Sequence, residues 1–131
     1  LVSQHALADA VHFTGRVPEA EKQQLLRDSC ALAMPSRNEG FGLVYLEAMR
    51  LGRPCLVSSE DAGREVVNPP EAGLTADLGD SAALAQACVR LLTPGADWEA
   101  WSAAAQRRYE QQFTAAQFQS RLRAVLEQQM P

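Results

Sequence analysis

Apolar residues fall in short clusters separated by turn formers, and their spacing predicts the elements in order. Val11-His12-Phe13-Thr14 is a β-prone run stopped by Gly15. Pro18 and Glu19 open a helix with apolar positions at Ala20, Leu25 and Leu26, and Ala31 either continues it or opens the next element. Cys30-Ala31-Leu32-Ala33-Met34, stopped by Pro35, reads as a strand buried on both faces. The polar loop 36–42 leads into a helix over 43–51, apolar nearly all round and therefore mostly buried. Pro54-Cys55-Leu56-Val57-Ser58 is a second buried strand. This alternation of strands and helices predicts an α/β fold, a parallel sheet with flanking helices.

The second half is more irregular. Residues 59–72 hold two prolines, a glycine and several charges, with one helical turn at Glu65-Val66-Val67. Gly73-Leu74-Thr75-Ala76 supplies a further short strand, giving about four in all with Val11–Thr14. Ser81 is the expected N-cap of a helix whose stripe is Leu84, Cys88, Leu91 and Leu92. Two more helices follow, over Trp98–Gln112 and from about Thr114, the latter with Phe118, Leu122, Val125 and Leu126 on one face. Their wide polar faces place them across the outside, and Trp98 and Trp101 read as packing anchors. The chain divides into sheet and helices over about 1–93 and carboxy-terminal helices over 94–131.

Composition narrows the chemistry. A net charge of −4 carries no basic excess to displace counterions, which argues against a nucleic-acid partner. Cys30, Cys55 and Cys88 are odd in number and far apart, so neither a disulfide framework nor a zinc site is expected. They read as small core residues of a protein in a reducing compartment, the cytoplasm. No apolar run reaches the ~20 residues of a membrane helix, and no signal peptide is visible. No GxGxxG or P-loop string occurs.

The chemistry concentrates in residues 35–49. Gly40 and Gly42 flank Phe41, allowing a sharp bend and close approach of a ligand to the backbone. The loop leaves the carboxyl end of a strand, where open α/β sheets bind ligands. It enters a helix whose first amides, near Gly42 to Val44, attract an anion such as a diphosphate. Glu47 lies on the stripe between Leu43 and Leu51, about 6 Å beyond that anion site, and Glu39 precedes it. A ligand with hydroxyls on both sides of a diphosphate, a nucleotide sugar, fits two bracketing acids. Three plainer readings stand beside it: Glu39 as a solvated loop residue, Glu47 paired with a buried arginine, or a hydrolase with two acids ~5–10 Å apart.

The string PSRNEGFGLVYLEAMRLGRPCLVS resembles the E-x7-E segment of glycosyltransferase family 4, the retaining group 1 transferases. VHFTGRV and GREVV…AGL…GDSAALAQACVRLL resemble its flanks, so that the similarity spans residues 8–93 and, loosely, the final helices. The resemblance implies a Rossmann-like carboxy-terminal half of a GT-B fold, truncated at its amino-terminal end. It implies that Glu39 contacts the donor sugar's hydroxyls and is the catalytic residue of the site. Gly40, Phe41, Gly42, Leu43 and Val44 then line sugar and diphosphate, Glu47 holds the ribose hydroxyls, and Arg16, Val17 and Lys22 lie near the base. Glu65 matches an acid after a glycine turn, with Ala62 in place of a glycine, and is given a structural role.

With no DxD string, no metal or other cofactor is implied. The implied activity is transfer of a hexose from a nucleotide-diphosphate sugar. The family's acceptor-binding amino-terminal domain and its Arg–Lys clamp on the diphosphate have no counterpart in these residues, although Arg37 and Arg64 lie near enough in sequence to approach the loop. The chain by itself is thus expected to be inactive. Membrane contact is expected only peripherally, through that other domain, and an oligomer is one way to cover an open sheet edge. The alternative is a non-catalytic nucleotide-sugar-binding or interaction module. Nucleotide-sugar epimerases of related fold lack the string.

Overall fold

The computed structural model describes residues 1–129. After a 3-10 turn at Ser3–His5 come α1 (Glu19–Asp28), β1 (Leu32–Ala33), α2 (Leu43–Arg50), β2 (Cys55–Ser58), α3 (Gly63–Val67) and β3 (Gly73–Ala76). Three helices follow: α4 (Ser81–Leu92), α5 (Ala96–Gln112) and α6 (Ala115–Gln129). The sheet is parallel in the order β1-β2-β3, with Leu32 beside Cys55 and Cys55 beside Gly73.

The central strand β2 is buried along its whole length. Its side chains alternate between two cores, as a strand's period of two requires. Cys55 and Val57 face a core built from Tyr45, Ala48, Met49, Val66, Val67 and Ala105. Leu56 faces the opposite one, with Leu74, Ala76, Ala87, Leu91 and Trp101. Helix α5 contributes Trp101 to one core and Ala105 to the other, so it closes the domain across both. Burial pushes the Cys55 thiol up to about 12, consistent with its role as core filler.

Several expectations are corrected. Val11–Thr14 forms no strand; Val11 and Phe13 stay exposed, and the segment follows a turn in which the amides of Ala10 and Val11 donate to the Leu7 carbonyl. A four-residue run with no ladder partner gains neither hydrogen bonds nor burial. The sheet therefore has three strands among the described residues, and β1 is its edge, with Leu32 half-buried and Ala33 exposed. Cys30 is exposed, Cys88 half-buried, and only Cys55 lies in the core.

The cap of α4 is Asp80 rather than Ser81: its Oδ1 accepts from the amides of Ala82 and Ala83 at 3.0 and 2.9 Å. A carboxylate there also meets the positive end of the helix dipole. Leu92 stays 62% exposed while Ala87 is buried, so the inward stripe is rotated from the expected one. Helix α2 is buried on one side only, through Tyr45, Ala48 and Met49, while Leu43 is exposed. Trp101 is buried and Trp98 donates its indole N–H to the Cys30 carbonyl at 3.0 Å, so both tryptophans anchor α5. The Phe118, Leu122, Val125 and Leu126 face of α6 is exposed. No helix of the described residues is long and apolar enough to cross a membrane.

Gly73 is the tightest point of the sheet. It has φ +157°, and a Cβ there meets the backbone of Cys55 on the central strand. Backbone cannot swing aside as a side chain can. Gly73→Ala is expected to destabilise the fold by more than ~2 kcal/mol, visible as a lowered urea midpoint with an unchanged slope; a shift within error disproves the close approach.

Candidate functional site

The loop 35–42 runs from the carboxyl end of β1 into α2, and Tyr45 fixes its shape. Tyr45 is fully buried, and its hydroxyl donates to the Met34 carbonyl at 2.7 Å, just where β1 ends. The ring lies against Gly42 on one side and Gly63 on the other; a Cβ at either glycine meets it. Gly42 takes the left-handed φ of +75° as N-cap of α2, where no side chain caps the helix. Gly40 has no positive φ and open space where a Cβ would stand, so it is not needed for the bend. Asn38 supplies the other left-handed residue, at φ +62°.

A second clamp lies across the loop. The buried Asp61, just after β2, accepts from Ser36 Oγ at 2.6 Å and from the Gly63 amide at 3.2 Å. One carboxylate thus joins the loop after β1 to the start of α3. Burial first, then the nearby charge of Asp61, pushes the Tyr45 phenol up to about 12.

Both glutamates of the expected pair lie along this path. Glu39 is half-buried, with its Cγ beside Gly42. Glu47 is one turn inside α2, its side chain 27% exposed. The Glu47 Oε1 accepts from Lys22 Nζ at 2.9 Å, while its Oε2 is buried without a hydrogen-bond partner. Lys22 also reaches Glu19 Oε2 at 2.9 Å. The ammonium is held above its ordinary pKa, chiefly by Glu19 and then by Glu47. Lys22 correspondingly lowers the Glu19 carboxyl, with help from Gln23. The expected arginine partner of Glu47 is replaced by this lysine.

A groove of about 420 Å³ runs past Glu47, lined by Glu19, Leu43, Arg50, Tyr109 and Phe113 among others. Phe113 meets Phe41 edge-on, with centroids 6.3 Å apart and planes at 73°. The Arg108 guanidinium stands 5.7 Å from the Phe113 ring and donates to the carbonyls of Val66 and Glu65 at 2.7 and 2.6 Å. Helix α5 therefore supports both the loop and α3. A second concavity of about 540 Å³ adjoins Asp61, with Glu60, Arg64 and Glu65 on its wall.

The remaining expected site residues divide between the segment before α1 and the loop itself. Arg16 is exposed and Val17 half-buried in the segment before α1. Arg37 is exposed, and Arg64 is engaged with the Ser59 carbonyl at 2.8 Å. Phe41 is 47% exposed at the loop tip, and Leu43 and Val44 carry the first amides of α2.

The family model for group 1 glycosyl transferases matches residues 1–94. The chain belongs to that family. It is 38% identical over 115 residues to a phosphatidyl-myo-inositol mannosyltransferase of Mycobacterium leprae, covering 85% of this chain and 31% of that protein. A glycogen synthase of Mycobacterium tuberculosis is 32% identical over 109 residues, covering 83% of this chain and 26% of the other. Among solved structures, sucrose-phosphate synthase of Thermosynechococcus elongatus superposes with a TM-score of 0.85 at 28% identity, over 97% of this chain and 32% of that one. The Anabaena protein HepE, solved with UDP-glucose, superposes at 0.83 over 97% of this chain and 35% of that one; at 23% identity the likeness shows the fold alone. This group 1 glycosyl transferase chain thus spans about a third or less of the length of these relatives, and its parallel sheet with flanking helices is of the GT-B kind.

Sequence reasoning missed four parts of this candidate site: Tyr45 as the loop's support, the Asp61–Ser36 bond, Arg108, and the aromatic wall of Tyr109 and Phe113. Tyr45 had one readable signal, a lone hydroxyl in an apolar helix that must find a partner when buried. The others join residues far apart in sequence and leave no local pattern.

Burial holds the Tyr45 phenol above the ordinary value of 10.0, so its neutral form is favoured in the fold. Its contribution is fully present below pH 10 and is lost as pH rises towards 12, because the unfolded chain ionises first. The loss is about 2–3 kcal/mol over that window. Tyr45→Phe is expected to cost ~1–2 kcal/mol at pH 7 and to flatten the decline in urea stability between pH 10 and 12. An unchanged alkaline slope disproves the assignment.

Proposed function

We propose that this chain is a nucleotide-sugar donor-binding domain, partial in extent, of a retaining glycosyltransferase that moves a hexose from a nucleotide-diphosphate sugar to an acceptor. The observation that carries it is the uncapped start of α2 at the carboxyl end of β1, bracketed by Glu39 and Glu47. Family membership and the fold support the reading.

In this reading the amides of Phe41, Gly42, Leu43 and Val44 receive the sugar–diphosphate junction. As the bond from the anomeric carbon to the diphosphate breaks, negative charge grows on the leaving oxygen, and the fixed amides and helix dipole stabilise it. Glu39, with its stem beside Gly42, accepts hydrogen bonds from the sugar hydroxyls and orients the ring. Retention follows if the acceptor oxygen attacks the face that the diphosphate leaves, with no protein nucleophile. Glu47, one turn on and partly exposed on the groove, takes the ribose hydroxyls. Arg16 and Val17 lie towards the base. With no DxD string in the sequence, no divalent metal enters this reading.

Lys22 is the only lysine in a chain of net charge −4. By the family resemblance, an arginine and a lysine outside these residues supply further positive charge to the diphosphate, and a separate domain binds the acceptor. Cytoplasmic placement accords with a nucleotide-sugar donor.

The test is sugar transfer in a polypeptide that also carries an acceptor-binding domain. Glu39→Ala is expected to lower turnover by at least ~100-fold, with little change in nucleoside-diphosphate affinity. Glu47→Ala is expected to raise the donor KM by ~10-fold. Transfer that survives both changes near the wild-type rate sinks the reading. Donor binding with no transfer by the unaltered protein indicates a non-catalytic binding module instead.

A further inference from the structure

Five side chains on α1 and α2 form one hydrogen-bonded circuit beside the groove. Arg50 Nη2 donates to Gln23 Oε1 at 2.8 Å, and Gln23 Nε2 donates to Glu19 Oε1 at 2.9 Å. Lys22 Nζ meets the other Glu19 oxygen at 2.9 Å and Glu47 Oε1 at 2.9 Å. On α1 the participants are spaced three and four apart, so they share one face, and on α2 Glu47 and Arg50 are three apart. Each link constrains the next. Glu19 has both oxygens engaged, Arg50 is turned to Gln23, and the Lys22 ammonium is shared between two carboxylates. Of the two Glu47 oxygens, Oε2 is buried without a partner, which leaves the carboxylate little room to turn, while the side chain as a whole stays 27% exposed at the groove.

We infer that Lys22 is a positioning residue for Glu47: by holding Oε1 it fixes the carboxylate at the groove wall, so that the exposed part of the side chain meets a ribose hydroxyl. The inference rests on the assignment of the ribose to Glu47 and goes beyond it. It also moves Lys22 from the base, near which the sequence placed it, to a role exerted through Glu47. Two of the three ammonium N–H donors are already held by carboxylates at 2.9 Å, which ties Lys22 to Glu47 and Glu19 before any ligand arrives. Without Lys22 the Glu47 side chain has no fixed rotamer and must desolvate a full charge each time ligand binds.

The experiment is calorimetric titration of the full 131-residue chain with UDP, GDP and ADP, followed by the 2′-deoxy form of whichever binds most tightly. Wild type is expected to prefer the ribonucleotide by ~10-fold. Lys22→Met is expected to lose ~10-fold for the ribonucleotide and less than ~2-fold for the deoxynucleotide. The retained deoxynucleotide binding also shows that the variant is folded. Lys22→Arg, which can still hold Glu47, is expected to restore most of the preference.

Glu47→Gln separates the two layers of the argument. If it abolishes the preference while Lys22→Met keeps it, the ribose assignment stands and the positioning role is overturned. If Lys22→Met weakens both nucleotides equally, the lysine acts on the base or the diphosphate, and the role is again overturned. If wild type shows no preference, or binds no nucleoside diphosphate, or Glu47→Gln retains the preference, the ribose assignment fails and the inference falls with it.

Discussion

The site depends on one buried ring. Tyr45 stands between Gly42 and Gly63, and its hydroxyl ends on the Met34 carbonyl. That single side chain therefore fixes three things: where β1 stops, how the chain turns into α2, and how closely α3 approaches. The ring leaves no room for a Cβ at either glycine, so the loop cannot shift without unpacking the core. Asp61 repeats the tie in polar form, joining Ser36 to the amide of Gly63. Rigidity is needed here because backbone amides can stabilise a developing charge only where they already point at it.

The electrostatic design follows from the composition. The chain has a net charge of −4, with one lysine among its 12 basic residues. Eight residues of helix, left uncapped, provide partial positive charge without any ionisable group. The one lysine is spent on carboxylates, where it offsets the repulsion between Glu19 and Glu47 and keeps the groove from becoming wholly acidic. Arginines are likewise turned to structural work: Arg108 binds the last carbonyls of α3, and Arg64 binds Ser59.

Much of this was legible in order along the chain, and the limits have physical causes. β2 and β3 were readable because apolar runs bounded by Pro54 and Gly73 have no other stable use. The loop and α2 were readable because glycine placement and helix dipoles are local properties. Val11–Thr14 was misread since β propensity describes a residue's fit to a sheet, and here no strand is beside it to fit. β1 was read as buried on both faces because its composition is that of a central strand, although it lies at the edge. Asp80 and Ser81 are both good cap types, and only the backbone geometry chooses between them. The Lys22–Glu47 bond spans twenty-five positions and two helices; no spacing rule reaches that far.

Helix α2 then acts as a ruler with two different faces. Its inner face carries Tyr45, Ala48 and Met49, which pack against the sheet and leave the helix no freedom to rotate. Its outer face carries Leu43, Glu47 and Arg50 along the groove. Glu47 follows Leu43 by four residues, which sets it about 6 Å along the axis from the first amides. That distance suits the step from a phosphate to the next sugar ring, and a helix holds it more exactly than a loop can. The circuit through Lys22 then removes the one freedom the backbone leaves, the rotation of the Glu47 side chain. The position along the ligand is thus set by packing on one side of α2, and the orientation of the acid by hydrogen bonds on the other.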